Sequence, residues 1–73
     1  MTVDPLRRVH QTRPFQPFVM HLADGRTVRV EHPEFLALSP SGRTVIAYGL
    51  DDGFEILDLL LVVGVEVPNG KVA

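Results

Sequence analysis

Phe18-Val-Met-His-Leu-Ala-Asp-Gly-Arg-Thr-Val-Arg-Val30 carries two apolar runs of period two around a single turn. Phe18, Met20 and Leu22 alternate with Val19 and His21, and Val28 and Val30 alternate with Arg29, so both runs read as strands with one apolar face. Ala23-Asp24-Gly25-Arg26 between them is a hairpin signal. The turn length sets the register. A two-residue Asp24-Gly25 turn would put Leu22 opposite Thr27, Met20 opposite Arg29 and Phe18 opposite Glu31, leaving each pair half polar. A three-residue loop with Gly25 left-handed puts Met20 opposite Val28 and Phe18 opposite Val30 on one face. The other face then pairs Val19 with Arg29 and His21 with Thr27. A one-residue slip exchanges the faces of a strand, so the second register is expected.

Upstream, Thr2-Val-Asp-Pro-Leu-Arg-Arg-Val-His-Gln-Thr-Arg13 reads as a helix over about residues 4–12. Thr2 or Asp4 offers an N-cap oxygen, and Pro5 suits a first turn, where a missing N–H costs nothing. Leu6 and Val9 share one face with His10 beside them. So short a helix does not persist alone in water and must dock on a core. Pro14 and Pro17 end it.

Downstream, His32-Pro33-Glu34 predicts a bend or one helical turn. Strands are expected at Phe35–Leu38, Arg43–Tyr48, Phe54–Leu57 and Val62–Val67, with Val63, Val65 and Val67 on one face of the last. Ser39-Pro-Ser-Gly42 and Gly49-Leu-Asp-Asp-Gly53 supply the intervening turns. Asp58-Leu-Leu-Leu61 reads equally as continued strand or as one helical turn. Residues 68–73 read as a flexible tail. The fold class is therefore mostly β: a short N-terminal helix, then a five- or six-stranded antiparallel meander. It is curled into a small SH3/Sm-like barrel or a strongly bent sheet, in a single domain spanning residues 1–73.

A chain of 73 residues has room for one thin core. At about 0.05–0.15 kcal/mol per residue it holds roughly 4–11 kcal/mol of stability. With no cysteine, no disulfide or thiolate metal site reinforces it. Packing or self-association must do so. The opening residues are too charged for a secretory h-region. Ile56–Val67, interrupted by Asp58, Gly64 and Glu66, is too short and charged to span a bilayer. A cytoplasmic protein with no membrane partner is expected. The net charge is −2, but unevenly spread. Residues 1–30 hold five arginines against Asp4 and Asp24, a balance of +3; residues 31–73 stand at −5. A basic N-terminal end meeting an acidic face, within one chain or between copies, is one reading; chance lopsidedness in a small chain is the other.

Three resemblances follow from particular residues. Phe35–Leu59, with Leu36-Ala-Leu-Ser-Pro-Ser-Gly-Arg-Thr-Val45, Asp51-Asp-Gly53 and Ile56-Leu-Asp-Leu59, resembles one blade of a WD-repeat propeller. A propeller needs at least four blades and the chain has no internal repeat, so shared hairpin chemistry accounts for the match. Arg13-Pro-Phe-Gln-Pro-Phe18, Asp24-Gly-Arg26, His32-Pro-Glu-Phe35 and Ser39-Pro-Ser-Gly-Arg43 together resemble a group of small bacterial proteins with no assigned activity. That resemblance carries over no catalytic residue. In outline the chain is also similar to Sm-like proteins, which form rings and bind RNA, with Asp24-Gly25-Arg26 at their first strand turn. Their Gly and Asp/Asn positions after the second strand are replaced by Glu31-His-Pro-Glu34. Their Arg-Gly pair before the last strand is replaced by Val62-Val63-Gly64. The similarity is one of architecture, without RNA-contacting residues.

Sites of chemistry are sparse. His10, His21 and His32 recur every eleven residues, a spacing that matches no metal pair; His21 is expected outward and His32 towards the core. Asp51, Asp52, Glu55 and Asp58 lack the alternation of a calcium loop. Ser39 and Ser41 lie in a turn without a nucleophile elbow, and no glycine-rich phosphate loop exists. No catalytic, metal or cofactor-binding residue is identified, and an enclosed catalytic pocket is not expected at this size. Arg7, Arg8, Arg13, Arg26 and Arg29 are candidate contacts for a nucleic acid or a protein partner. The aromatics, mostly core-facing, offer few stacking partners. Tyr48 either meets a protein beside the acidic loop or caps the core. Val63, Val65 and Val67 are the candidate self-association edge. The expectation is a non-catalytic β interaction module, a homo-oligomer with protein partner unknown. A nucleic-acid-binding small barrel acting through its arginines is the rival.

Overall fold

In the computed structural model, which describes residues 2–68, the helix α1 runs over Val3–Gln11. Neither expected cap is used: Thr2 occupies the N-cap position without a side-chain cap bond. Asp4 is already inside the first turn, where its charge suits the positive end of the helix dipole and Arg7 Nη1 stands 3.7 Å away. Leu6 is fully buried, and Val3 and Val9 pack against the core from either side of it. At the far end, His10 Nε2 donates to the Pro33 carbonyl at 2.8 Å. Docking thus supplies the stability that so short a helix lacks alone.

The strands β1 (Phe18–Leu22) and β2 (Thr27–Val30) form the expected hairpin. Phe18 pairs with Val30, Val19 with Arg29, Met20 with Val28 and His21 with Thr27. Leu22 N–H donates to the Arg26 carbonyl at 2.9 Å, closing a three-residue loop in which Gly25 has φ 93°. Phe18, Met20, Leu22 and Val30 are buried on the shared inner face.

Beyond β2 the chain departs from one continuous meander. A 3-10 turn at Pro33–Phe35 makes a corner, since proline cannot donate to a ladder. Then follow β3 (Leu36–Leu38), β4 (Thr44–Tyr48) and β5 (Phe54–Asp58), an antiparallel sheet of their own. The segment that read two ways resolves as a 3-10 turn, Leu59–Leu61, capped by Asp58, whose carboxylate accepts the Leu60 N–H at 2.9 Å. The last strand, β6 (Val62–Glu66), returns to pair with β1. Among the described residues six strands therefore make two three-stranded sheets, β2-β1-β6 and β3-β4-β5, and no closed barrel is seen.

The inner faces of both sheets and α1 enclose one core. Met20, Val45 and Val62 are fully buried there, beside Leu36, Ala47 and Leu57. Gly42, at φ 77° in the β3–β4 turn, lies against α1 so closely that a Cβ would meet Val3 Cγ2 at 2.7 Å. Among the described residues no helix is long and apolar enough to cross a membrane. The tail expected at 68–73 lies outside the described residues from 69 onward.

Candidate interaction surface

The arginines take separate partners. Arg7 and Arg8 ride on α1, and Arg13, just beyond it, donates Nη1 to the carbonyls of His10 and Thr12 at 3.0 and 2.9 Å. Arg26 is held twice. Its Nε donates to Asp24 Oδ2 at 2.8 Å within its own turn, and its Nη1 donates to Glu55 Oε2 at 2.7 Å on β5 of the other sheet. The Arg26 N–H and guanidinium hold the Asp24 carboxyl below the ordinary aspartate range. The bonds to Glu55 and Asp24 hold the guanidinium proton more tightly still. Arg29 donates to Glu31. Of the five arginines, Arg7, Arg26 and Arg29 are thus in exposed ion pairs that match their charge locally.

The candidate valines are split between faces. The pairing of β6 with β1 shifts register between His21 and Leu22, setting Val62 opposite Leu22, Gly64 opposite His21 and Val65 opposite Met20. Val63 falls in the bulge and is 61% exposed, whereas Val65 packs on the core and Val67 lies past the strand. An extra residue in a strand shifts everything beyond it to the opposite face, so the single valine face of the sequence reading does not exist. On the outer face His21 Nε2 meets Glu66 Oε1 at 3.0 Å. His32 is exposed rather than core-facing, with its ring edge-on to Phe35. Among the described residues no group of three or more His, Cys, Asp or Glu is placed to hold a metal ion.

The feature that sequence reasoning missed is the outer face of the β3-β4-β5 sheet. Ile46 pairs with Ile56 and Tyr48 with Phe54 across β4 and β5, directing both pairs outward. Tyr48 is 42%, Phe54 60% and Ile56 65% exposed, and Leu50 in the adjoining loop is 81% exposed. The rings of Tyr48 and Phe54 are 6.0 Å apart at 43°, a tilted pair across the two strands. Phe54 therefore faces solvent, not the core, and Tyr48 packs on it rather than capping the interior. A signal was present: Val45-Ile-Ala-Tyr48 is apolar on both faces and Phe54-Glu-Ile-Leu57 departs from that only at Glu55, close to the pattern of strands covered twice. Among the described residues α1 covers the inner side, and nothing covers the outer one.

Two clefts flank this strip, and both open to solvent. One, of about 440 Å³, lies between β2 and the β4–β5 hairpin, with Val28, Ala47 and Glu55 in its wall. The other, of about 470 Å³, runs from Phe35 to Leu50 beneath Tyr48. Ser39 and Ser41 hydroxyls bond each other and the turn backbone. Comparison with protein-family models, with curated proteins and with solved structures gives no match for this chain.

Proposed function

We propose that this chain is a non-catalytic β interaction module that works as a homo-oligomer through its exposed strand edges. The observation that carries the reading is the strip of Tyr48, Leu50, Phe54 and Ile56, exposed together on one sheet and its adjoining loop. Large apolar side chains gathered on one uncovered face, aromatics among them, are the composition of a protein contact. A thin core adds motive, because association stabilises the folded state by mass action. The fold that goes with this reading is a small SH3/Sm-like barrel, with Arg26–Glu55 spanning the side where β2 and β5 line one cleft. Nucleic-acid binding through Arg7, Arg8, Arg13, Arg26 and Arg29 ranks second, because Arg26 and Arg29 already have carboxylate partners.

The test is solution mass by light scattering across a concentration series at moderate salt. A fixed multiple of 8.1 kDa is expected. A clean monomer at every concentration overturns the proposal.

A further inference from the structure

We infer that the partner is a second copy of this chain, docked edge to edge by antiparallel pairing of β5 with β5 about a two-fold axis at Ile56. The inference rests on the self-association proposed above and names its surface.

The four edge strands are not equivalent. β3 has three residues and β2 four, too short for extended pairing. β6 carries a bulge and a mid-strand glycine, devices that blunt an edge. β5 is a regular five-residue strand paired on one side only.

Hydrogen-bond parity shows what β5 offers. Gly49 N–H donates to the Gly53 carbonyl at 2.7 Å, and Leu59 N–H donates to the Arg43 carbonyl at 2.8 Å. Both pairs continue the register that sets Tyr48 opposite Phe54 and Thr44 opposite Asp58. Bonded and non-bonded pairs alternate along an antiparallel ladder, so Glu55 and Leu57 bond β4 while Phe54, Ile56 and Asp58 turn their backbone groups to the free edge. The Asp58 carbonyl opens the 3-10 turn. The free groups are then the Phe54 and Ile56 N–H and C=O and the Asp58 N–H.

A two-fold contact must be self-complementary, and few registers are. Centred on Ile56, each copy's Ile56 bonds the other's in both directions, and each Asp58 N–H reaches a Phe54 carbonyl. Side chains then meet as Ile56 on Ile56, Phe54 on Asp58, and Glu55 on Leu57, with no like charges directly opposite. Centring on Glu55 or Asp58 sets two carboxylates face to face, which is unfavourable. Centring on Phe54 runs past the strand into the loop, and centring on Leu57 keeps half as many backbone bonds. The Ile56 register pairs every free edge group except the Phe54 N–H without opposing carboxylates, and it joins the two apolar strips into one outer face on a six-stranded sheet.

The experiment compares wild type with Ile56→Lys and Val63→Lys by light scattering, with circular dichroism to confirm folding. Both side chains are mostly solvent-exposed, so neither substitution removes core. The expected result is a mass of twice 8.1 kDa for wild type and Val63→Lys, and the single-chain mass for Ile56→Lys. An Ile56→Cys variant gives an independent readout, since the chain has no other cysteine. Residues in a bonded antiparallel pair have Cα atoms about 5.5 Å apart, within disulfide reach. Mild oxidation should yield a covalent dimer, whereas Val63→Cys should not. A wild-type oligomer broken by Val63→Lys but not by Ile56→Lys overturns this interface and leaves self-association standing. A mass above two chains that needs both edges, or an Ile56→Cys dimer that fails to form, likewise overturns the two-fold contact. A monomeric wild type removes the proposed function itself.

Discussion

Replacing Gly42 by alanine tests how α1 is seated, and Gly25 supplies an internal control. Both glycines sit in the left-handed region, at φ 77° and 93°. There an alanine costs about 1–2 kcal/mol. Restricting the unfolded chain returns about 0.4–1 kcal/mol, leaving a net of roughly 1 kcal/mol at a site with space. Gly25 is such a site, with nothing within 4 Å of the added Cβ. At Gly42 the same Cβ meets Val3 Cγ2 at 2.7 Å, Cβ at 2.9 Å and Cγ1 at 3.0 Å. Val3 is in the first turn of α1, so relief requires the helix to lift or the turn to shift. Overpacking of this kind costs about 1–3 kcal/mol more. Gly42→Ala should therefore lose roughly 2–4 kcal/mol of a total near 4–11 kcal/mol. At about 4–8 °C per kcal/mol for a domain this size, Gly25→Ala should lower Tm by one such step and Gly42→Ala by at least two. Thermal unfolding followed by circular dichroism reads both. In a Val3→Ala background the Gly42→Ala penalty should shrink without vanishing, because the Val3 Cβ remains in the way. Equal losses for the two glycine variants, or a Gly42 penalty unchanged by Val3→Ala, would refute the seating of α1 on this turn.

Leu6→Ala should cost about 2–5 kcal/mol in chemical denaturation, since Leu6 is fully buried and its truncation undoes the docking of α1. Asp24→Asn should flatten the acid limb of stability. The Asp24 carboxyl is held below its ordinary value by the Arg26 N–H and guanidinium, so its contribution is complete above the unfolded-state pKa and is lost as pH falls through the folded-state one. Wild-type Tm should therefore fall more steeply than that of Asp24→Asn as pH drops below about 4.

What could be read from residues alone depended on whether a signal was local. The β1–β2 register was legible because a one-residue slip would have buried Arg29 and exposed Val28, a conflict visible within thirteen residues. The docking face of α1 was legible for the same reason, from Leu6 and Val9. The return of β6 to β1 was not, since nothing in Val62–Glu66 marks a partner forty or more residues earlier. The bulge at Val63 depends on that partner, so the faces of the three valines were out of reach as well. The arginines show a similar limit. Their number was plain, but the Arg26–Glu55 pair joins residues 29 apart and turns an apparent basic patch into a link between sheets.

The division into two sheets also accounts for where the apolar strip lies. A 73-residue chain with one nine-residue helix can cover one side of its β layers, and α1 is spent on the inner side, between Gly42 and Pro33. On the β2-β1-β6 sheet the uncovered side is largely charged or polar, with His21, Arg29 and Glu66 beside Val19 and Val63. On the β3-β4-β5 sheet it is not: Ile46, Tyr48, Phe54 and Ile56 stand there with Asp58 at one end. Two sheets of equal size thus differ in the one respect that matters for solubility. Burying a strip of this kind at about 25 cal/mol per Å² is favourable wherever a complementary surface exists. A second copy paired along β5 brings the matching edge, sets Ile56 against Ile56 at the axis, and extends the strip into one face shared by both copies.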